Sequence, residues 1–494
     1  METLFKQLKD YAGSEIYPYH MPGHKRRGVG ELSQSLAELD ITEIEGFDNL
    51  HRPEGIIRQL QQCAAAAYGA EEAYYLVGGS TCGILSAVSA AIPQGGRLLI
   101  ARNCHKSVYH AAYLRRLSLS YLYPGQVTDV GISEAVSPEQ VRETLEREPD
   151  IDGVLIVSPT YEGRIADVEQ IARIVHSHGI PLIVDEAHGA HLGFHLSFAP
   201  GSSRAGADLV VVSLHKTLPA MTQTALLQVN GSLVDRRTVR RFLQIYQSSS
   251  PSYVLMASID NAIRLAREQG DALFGEMVRN WNDMLGQLSA CRALTIWPTA
   301  ALPQEEYQRH QDIGKLVVSV KDTGITGQEL YRELLERYAL QLEMACDSYV
   351  LAMFTVGDTS QGYQRLTRAL LEIDSRLRTD RRIPESHVGV TENNAGAAMQ
   401  RDGLPLWESW DRPAQWTALQ DAVGRYVAEY INIYPPGTPI LVPGERMEEA
   451  DRIRLERYLT EGLNVQGISP KDGVPGVMVL TELTELKIRK EKIL

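Results

Sequence analysis

The stretch SLHKTLPAMTQTALL, residues 213–227, overlaps the end of the apolar run ADLVVVS and places Lys216 at the mouth of what reads as a buried strand. Lysines usually avoid such positions, because a buried ammonium is costly. A lysine amine can form a Schiff base with a carbonyl compound, and a crevice at a strand end helps deprotonate it by desolvation. Taken alone, the residue is better explained as an exposed lysine that merely ends a strand.

Upstream, apolar runs alternate with helical patterns from about residue 60 to 230. AYYLV precedes GGSTCG, GRLLIA precedes RNCHKSVYHAA, IDGVLIVS precedes PTYEG, and IPLIVDEA follows DVEQIARIVHSHG. The runs are rich in Val, Ile and Leu and do not alternate with polar residues, as expected of parallel strands covered on both faces. In such sheets ligands bind at the carboxyl ends of the strands. The post-strand segments GGSTCG, RNCHKS, SPTYEG, DEAHGAH and SLHKT therefore draw attention first.

Asp185 ends IPLIVD, and 31 residues separate it from Lys216. A carboxylate there either caps the following turn or pairs with a buried cation, which the protonated ring nitrogen of pyridoxal phosphate would supply. GGSTCG lets backbone N–H groups, with Ser80 and Thr81, approach a phosphate at a helix N-terminus. A Gly-rich turn between strand and helix is also common without any ligand. The G-x-G-x-x-G and G-x-x-x-x-G-K-[ST] spacings are missing, which disfavours dinucleotides and nucleoside triphosphates. His105 is placed to stack on an aromatic ring, or to cap a helix or fill the core. Ser213 and His215 flank the amine closely enough to bind a phosphate. His188 and His191 follow Asp185 without an H-E-x-x-H pattern, and no metal site is expected.

Composition narrows the classes further. A chain of 494 residues is long enough for two or three domains, and 44% hydrophobic with 22% charged residues is ordinary for a globular protein. The net charge of −13 argues against nucleic acid as a partner and suits a cationic small substrate, though solubility alone also accounts for it. Five cysteines, with no C-x-x-C, suggest small core residues rather than disulfides or zinc. No segment reads as a membrane span or signal peptide, so a cytoplasmic protein is expected. The Gly- and Pro-rich stretch from Arg378 to Leu406 reads as a linker or surface loop, and ELKIRKEKIL as an exposed basic terminus. The expected organisation is an N-terminal arm over 1–60, a large domain over 61–300, a small α/β domain over 301–380 and a C-terminal domain over 381–494.

With PYHMPGHKR, DITEIEGFDNLHRPEG, NCHKSVYH, SPTYEG, VDEAHGAH and SLHKTLPAMTQ, the chain closely resembles the ornithine/lysine/arginine decarboxylase family. The resemblance runs from about residue 17 to 260, and more loosely through SYVLAMFTVGD and YPPGTPILVPGE. It implies an α/β fold of the type I pyridoxal-phosphate class, with a mostly parallel large sheet and smaller α/β C-terminal domains. It implies pyridoxal 5′-phosphate as cofactor, with Lys216 as its Schiff-base anchor and Asp185 paired to the ring nitrogen. His105 would lie on one ring face and Ala187 on the other, with His188 beside them. Ser80, Thr81, Ser213 and His215 would hold the phosphate. The reaction implied is decarboxylation of a basic amino acid to its amine, with arginine slightly ahead of lysine and ornithine. Asp48, Asp347 and Glu445 are candidates for reading the substrate's distal cation. The site-bearing motifs start near residue 17, so no receiver-like wing domain is expected, and a homodimer or dimer of dimers is. SSSPSY and GFDNLH would then reach a site at the subunit interface. The rival readings are aminotransfer or aldol cleavage on the same cofactor, and a catalytically silent regulatory homologue.

Overall fold

The computed structural model describes residues 15–19, 43, 48–300, 309–379, 403–433, 438–460 and 462–481. Most of the N-terminal motifs, the 380–402 linker, residues 434–437 and the basic C-terminal tail lie outside the described residues.

Seven strands form the large sheet: β1 (Glu72–Leu76), β2 (Arg97–Ala101), β3 (Ser118–Leu122), β4 (Gly153–Val157), β5 (Leu182–Asp185), β6 (Leu209–Ser213) and β7 (Ala225–Val229). Their order is β1-β7-β6-β5-β4-β2-β3. Only β7, from the TALL end of the opening stretch, runs antiparallel, to both β1 and β6; the strands from β6 to β3 are parallel. Along β6, Val210 and Val212 enter one core and Leu209 and Val211 the other, so the sheet is dry on both faces. That double burial is why its strands read as unbroken apolar runs.

The helices that matter to the site are α1 (Ile56–Tyr68), α2 (Gly79–Ala91), α3 (Lys106–Arg115), α4 (Val168–Ser177), α5 (Arg236–Tyr246) and α6 (Tyr253–Leu288). α2 needs two of its glycines. Gly79 takes φ +75°, open to a residue without a side chain, and a Cβ on Gly83 would lie 2.6 Å from Leu76 and 2.8 Å from Val211. The helix therefore packs directly on the sheet with its first turn beside the strand ends.

A smaller antiparallel sheet follows α6, with β8 (Thr295–Trp297), β9 (Lys315–Ser319), β10 (Met344–Ala345) and β11 (Tyr349–Met353) in the order β8-β9-β11-β10. It begins at Thr295, ahead of the expected boundary at 301, because β8 pairs with β9. The N-terminal Tyr17–Tyr19 pairs in parallel with Leu340–Leu342, so this part of the arm belongs to the small layer. The residues from 403 onward fold around their own core of Leu419, Val427, Ile431, Leu441, Leu455, Val477 and Val479. They dock on the large layer through Leu406 and Val442, which join the core beneath α2 and α3. Among the described residues, no helix is long and apolar enough to cross a membrane.

Candidate active site

β6 delivers its last residue, Ser213, fully buried, into a one-turn helix Leu214–Thr217 that carries His215 and Lys216. β5 ends alongside at Asp185, whose Cα neighbours Val211 across the sheet. The turn after Asp185 brings His188 back over the amine, with Nε2 3.0 Å from Lys216 Nζ. Lys216 is half-buried and still reached from the cleft. Burial is the largest influence on its amine and pushes its pKa down; Asp185 and Glu343 partly offset this, and Lys315 adds to it. Asp185, 5% exposed, accepts the Ala187 N–H at 3.2 Å. Burial holds its carboxyl above the usual range, with Lys216 and the Ala187 N–H acting in the opposite sense.

The imidazoles around this pair are neutral. His188 sits far below the ordinary histidine value because it is buried among Lys216, Lys315 and two other histidines. His105 is pushed down to about 3 by burial, Lys216, Lys106 and His110. Its Nδ1 accepts the Ser107 N–H at 3.2 Å, so the cap of α3 is made by this ring and the proton rests on Nε2. His215 is pushed down to about 4, chiefly by burial, although its contact with the Thr224 carbonyl at 3.0 Å acts the other way.

Three buried polar atoms at the site have no partner: Ser213 Oγ, Thr217 Oγ1 and His188 Nδ1. Each such group costs about 1–3 kcal/mol unless something else satisfies it. At the facing edge, α2 starts at Gly78 and Gly79 with no side chain capping it, and Ser80 and Thr81 form its first turn. The Gly79 N–H donates to the Gln223 carbonyl at 2.8 Å, and the other first-turn N–H groups of this 13-residue helix favour an anion. Unsatisfied hydroxyls, an uncapped helix, an amine whose pKa burial lowers and a buried carboxyl therefore meet at one place, as a ligand carrying both a phosphate and a carbonyl would require.

Not every expected residue joins this group. Asp48 spends its carboxylate on the N–H groups of Asn49, Glu54, Gly55, Ile57 and Arg58, opening α1. Those bonds outweigh its desolvation and hold its pKa below the usual value. Glu445 pairs with Arg102 at 3.1 Å, both nearly buried, and also accepts the Val442 N–H. SSSPSY leads into α6, with Ser248–Ser250 exposed, Pro251 buried and Ser252 as the N-cap. Cys82 and Cys104 are buried, and no described group of His, Cys, Asp and Glu could hold a metal.

Two further residues enter that sequence reasoning missed. The Tyr161 ring stands edge-on to His188 at 4.6 Å, and its hydroxyl bonds the Glu343 carboxylate on the small layer. Tyr161 lies in SPTYEG, already marked by its position after a strand. Glu343 carries no local signal, since only the packing of the two layers brings it here.

The family of the Orn/Lys/Arg decarboxylase major domain matches residues 2–362, and that of the corresponding C-terminal domain matches 409–466. The chain is 32% identical over 481 residues to the arginine decarboxylase of Bacillus subtilis, covering 95% of each. It is 31% identical over 481 residues to that of Halalkalibacterium halodurans, again over 95% of each. It is 23% identical to the constitutive lysine decarboxylase of Escherichia coli, over 93% of this chain and 76% of that one. In fold it is similar to the lysine decarboxylase of Francisella novicida, with TM-score 0.76 at 18% identity over 96% of this chain and 80% of that one. On the match across the major domain, the C-terminal domain and nearly the whole length of its relatives, this chain belongs to the Orn/Lys/Arg decarboxylase family.

Proposed function

We propose that this chain decarboxylates arginine to its amine and carbon dioxide, using pyridoxal 5′-phosphate. The observation that carries the reading is the Lys216 amine at 3.0 Å from His188, desolvated beside Asp185. The choice of arginine over lysine or ornithine is supported by the arginine decarboxylases that match over 95% of both chains.

The residues present fit the cofactor. Lys216 would anchor its aldehyde, Asp185 would face the ring nitrogen, and His105 and Ala187 would take the two ring faces. Ser80, Thr81, the first-turn N–H groups of α2, Ser213 and His215 would hold the phosphate. Bound there, the cofactor supplies an electron sink for the pair left when the bond from Cα to the carboxylate breaks. Asp185 contributes a fixed negative charge that costs no reorganisation during reaction. Lys216 Nζ, desolvated and 3.0 Å from the neutral His188 ring, is positioned to move a proton within the site, with His188 Nε2 orienting the amine. The same pair is suited to deliver a proton to the substrate's Cα once carbon dioxide has left. Tyr161, packed against His188, keeps water from that side.

The distal cation of the substrate falls to Glu343 ahead of Asp48 and Glu445, whose carboxylates are committed to backbone N–H groups and to Arg102. A homodimer with the site at its subunit boundary, in the cytoplasm, completes the reading. The exposed residues Ser248–Ser250 of SSSPSY would then reach the neighbouring site.

The test supplies arginine, lysine and ornithine separately to the purified, cofactor-loaded protein and measures amine and carbon dioxide. Release from arginine that is lost in Lys216→Ala is expected, with a fall of about 10³-fold or more. No release from any of the three, with the cofactor bound through Lys216, would move the search to aminotransfer.

A further inference from the structure

Behind the site lies a second buried group of the same three residue types. Lys315, first residue of β9, donates from Nζ to Asp312 Oδ2 at 3.0 Å, and Asp312 Oδ1 meets His191 Nε2 at 2.6 Å. The side chains of Lys315, Asp312 and His191 are 1%, 0% and 3% exposed. His191 belongs to the turn after β5, whereas Asp312 and Lys315 belong to the small layer, so one carboxylate joins the two. Buried ion pairs rarely stabilise a fold better than apolar residues of the same volume. Their presence therefore invites a functional explanation.

Two short routes lead from this group to Lys216. His191 sits three residues beyond His188, whose Nε2 touches Lys216 Nζ. Tyr161, edge-on to His188, leads in two residues to Gly163, where a Cβ would lie 2.9 Å from Lys315 Cβ. The groups that act on Lys216 are the carboxylates of Asp185 and Glu343, the Lys315 ammonium and the neutral rings of His188 and His105. Lys315 itself meets Asp312 and, through it, His191. Among the described residues whose charges act on Lys216, Lys315 is the one of like sign, and it acts on His188 in the same direction. A neighbouring cation in a dry site is an established way to make a lysine nucleophilic.

We propose that Lys315 is a positioning residue of the Lys216 site, an ammonium that Asp312 fixes behind the turn bearing His188 and whose field keeps Lys216 ready as a nucleophile. This rests on Lys216 being the reacting amine, and the test separates the two. Full-length protein freed of cofactor is acetylated with acetic anhydride across a pH series, and modification of the Lys216 peptide is followed by mass spectrometry. Lys315→Met moves the labelling midpoint of Lys216 upward, so that labelling at neutral pH falls about three- to tenfold, a factor of ten being one pH unit. Lys315→Arg keeps the cation and stays within about twofold of wild type, which a role in packing alone would not produce. If Lys315→Met does not fold by circular dichroism, Asp312→Asn/Lys315→Met removes both charges together and should show the same upward move. A folded variant lacking the cation with an unchanged midpoint, or Lys315→Arg behaving like Lys315→Met, overturns the proposal. Retained decarboxylation in Lys216→Ala would instead sink the reading of Lys216 and leave the labelling result standing as chemistry of that amine.

Discussion

Asp185 with Lys216 and His188, and Asp312 with Lys315 and His191, are the same three side chains buried in one protein to opposite effect. In the second group the carboxylate touches both nitrogen bases, and although burial would raise its pKa, His191 and Lys315 hold it below the usual range. In the first, Lys216 touches His188 rather than the carboxylate, and burial leaves Asp185 above its usual range and Lys216 below. Contact geometry, not residue type, decides whether such a trio is a closed ion pair or a set of reactive groups. The open trio also borders unpartnered Ser213 and Thr217 hydroxyls, which a closed structural pair would have no reason to gather.

The contrast is easiest to break at the two aspartates. Asp185→Asn should lower kcat by about 10²–10³-fold, the scale of losing one preorganised electrostatic group, while thermal stability stays level or rises. A large fall in Tm with kcat retained would make Asp185 structural. Asp312→Ala should do the reverse in kind. It leaves Lys315 buried without its partner and should cost about 3–5 kcal/mol in denaturant unfolding. A change under about 1 kcal/mol would show that the closed trio is not the interlayer clamp its geometry describes.

The smallest effect sharpens the comparison from a neighbouring residue. Glu186 is buried with no cation, bonded only to the Ser202 N–H and hydroxyl, and burial pushes its carboxyl up to about 8. Its folded pKa lies above the unfolded value of 4.5, so its stabilising contribution is complete below pH 4.5 and is lost as pH rises through about 8. Glu186→Gln should flatten that decline and gain on the order of 1–3 kcal/mol at pH 8.5 relative to pH 5. Unfolding free energies of the two proteins with the same pH slope would place the titration elsewhere.

The large sheet was legible because strands buried on both faces must be apolar throughout, and the polar residues that end them are then conspicuous. Lys216, Asp185, Ser213 and His105 were singled out in that way. His105 caps α3, one of the roles weighed for it, and lies within the field of Lys216. Glu343, Asp312 and Lys315 were not legible. They come from an antiparallel layer whose edges depend on long-range pairing, and nothing local marks a lysine that opens β9 as fully buried. Glu445 was one of three candidate acids for the substrate's distal cation, but its Arg102 partner is 343 residues away, beyond the reach of any spacing argument.

That separation has a consequence in time. Arg102 Nη1 donates to the Pro439 carbonyl at 2.7 Å, and Nη2 to the Ile440 carbonyl at 3.0 Å and to Glu445. During synthesis at roughly 5–20 residues per second, the ribosome would emit Arg102 some 20–70 s before Glu445. Through that interval the guanidinium, three residues from His105, has the Tyr109 hydroxyl at 3.1 Å as an acceptor but not yet the Pro439 and Ile440 carbonyls or Glu445. The docking of the C-terminal residues on the large layer is therefore a late event in translation, and a chain released early would leave Arg102 without its Glu445 partner.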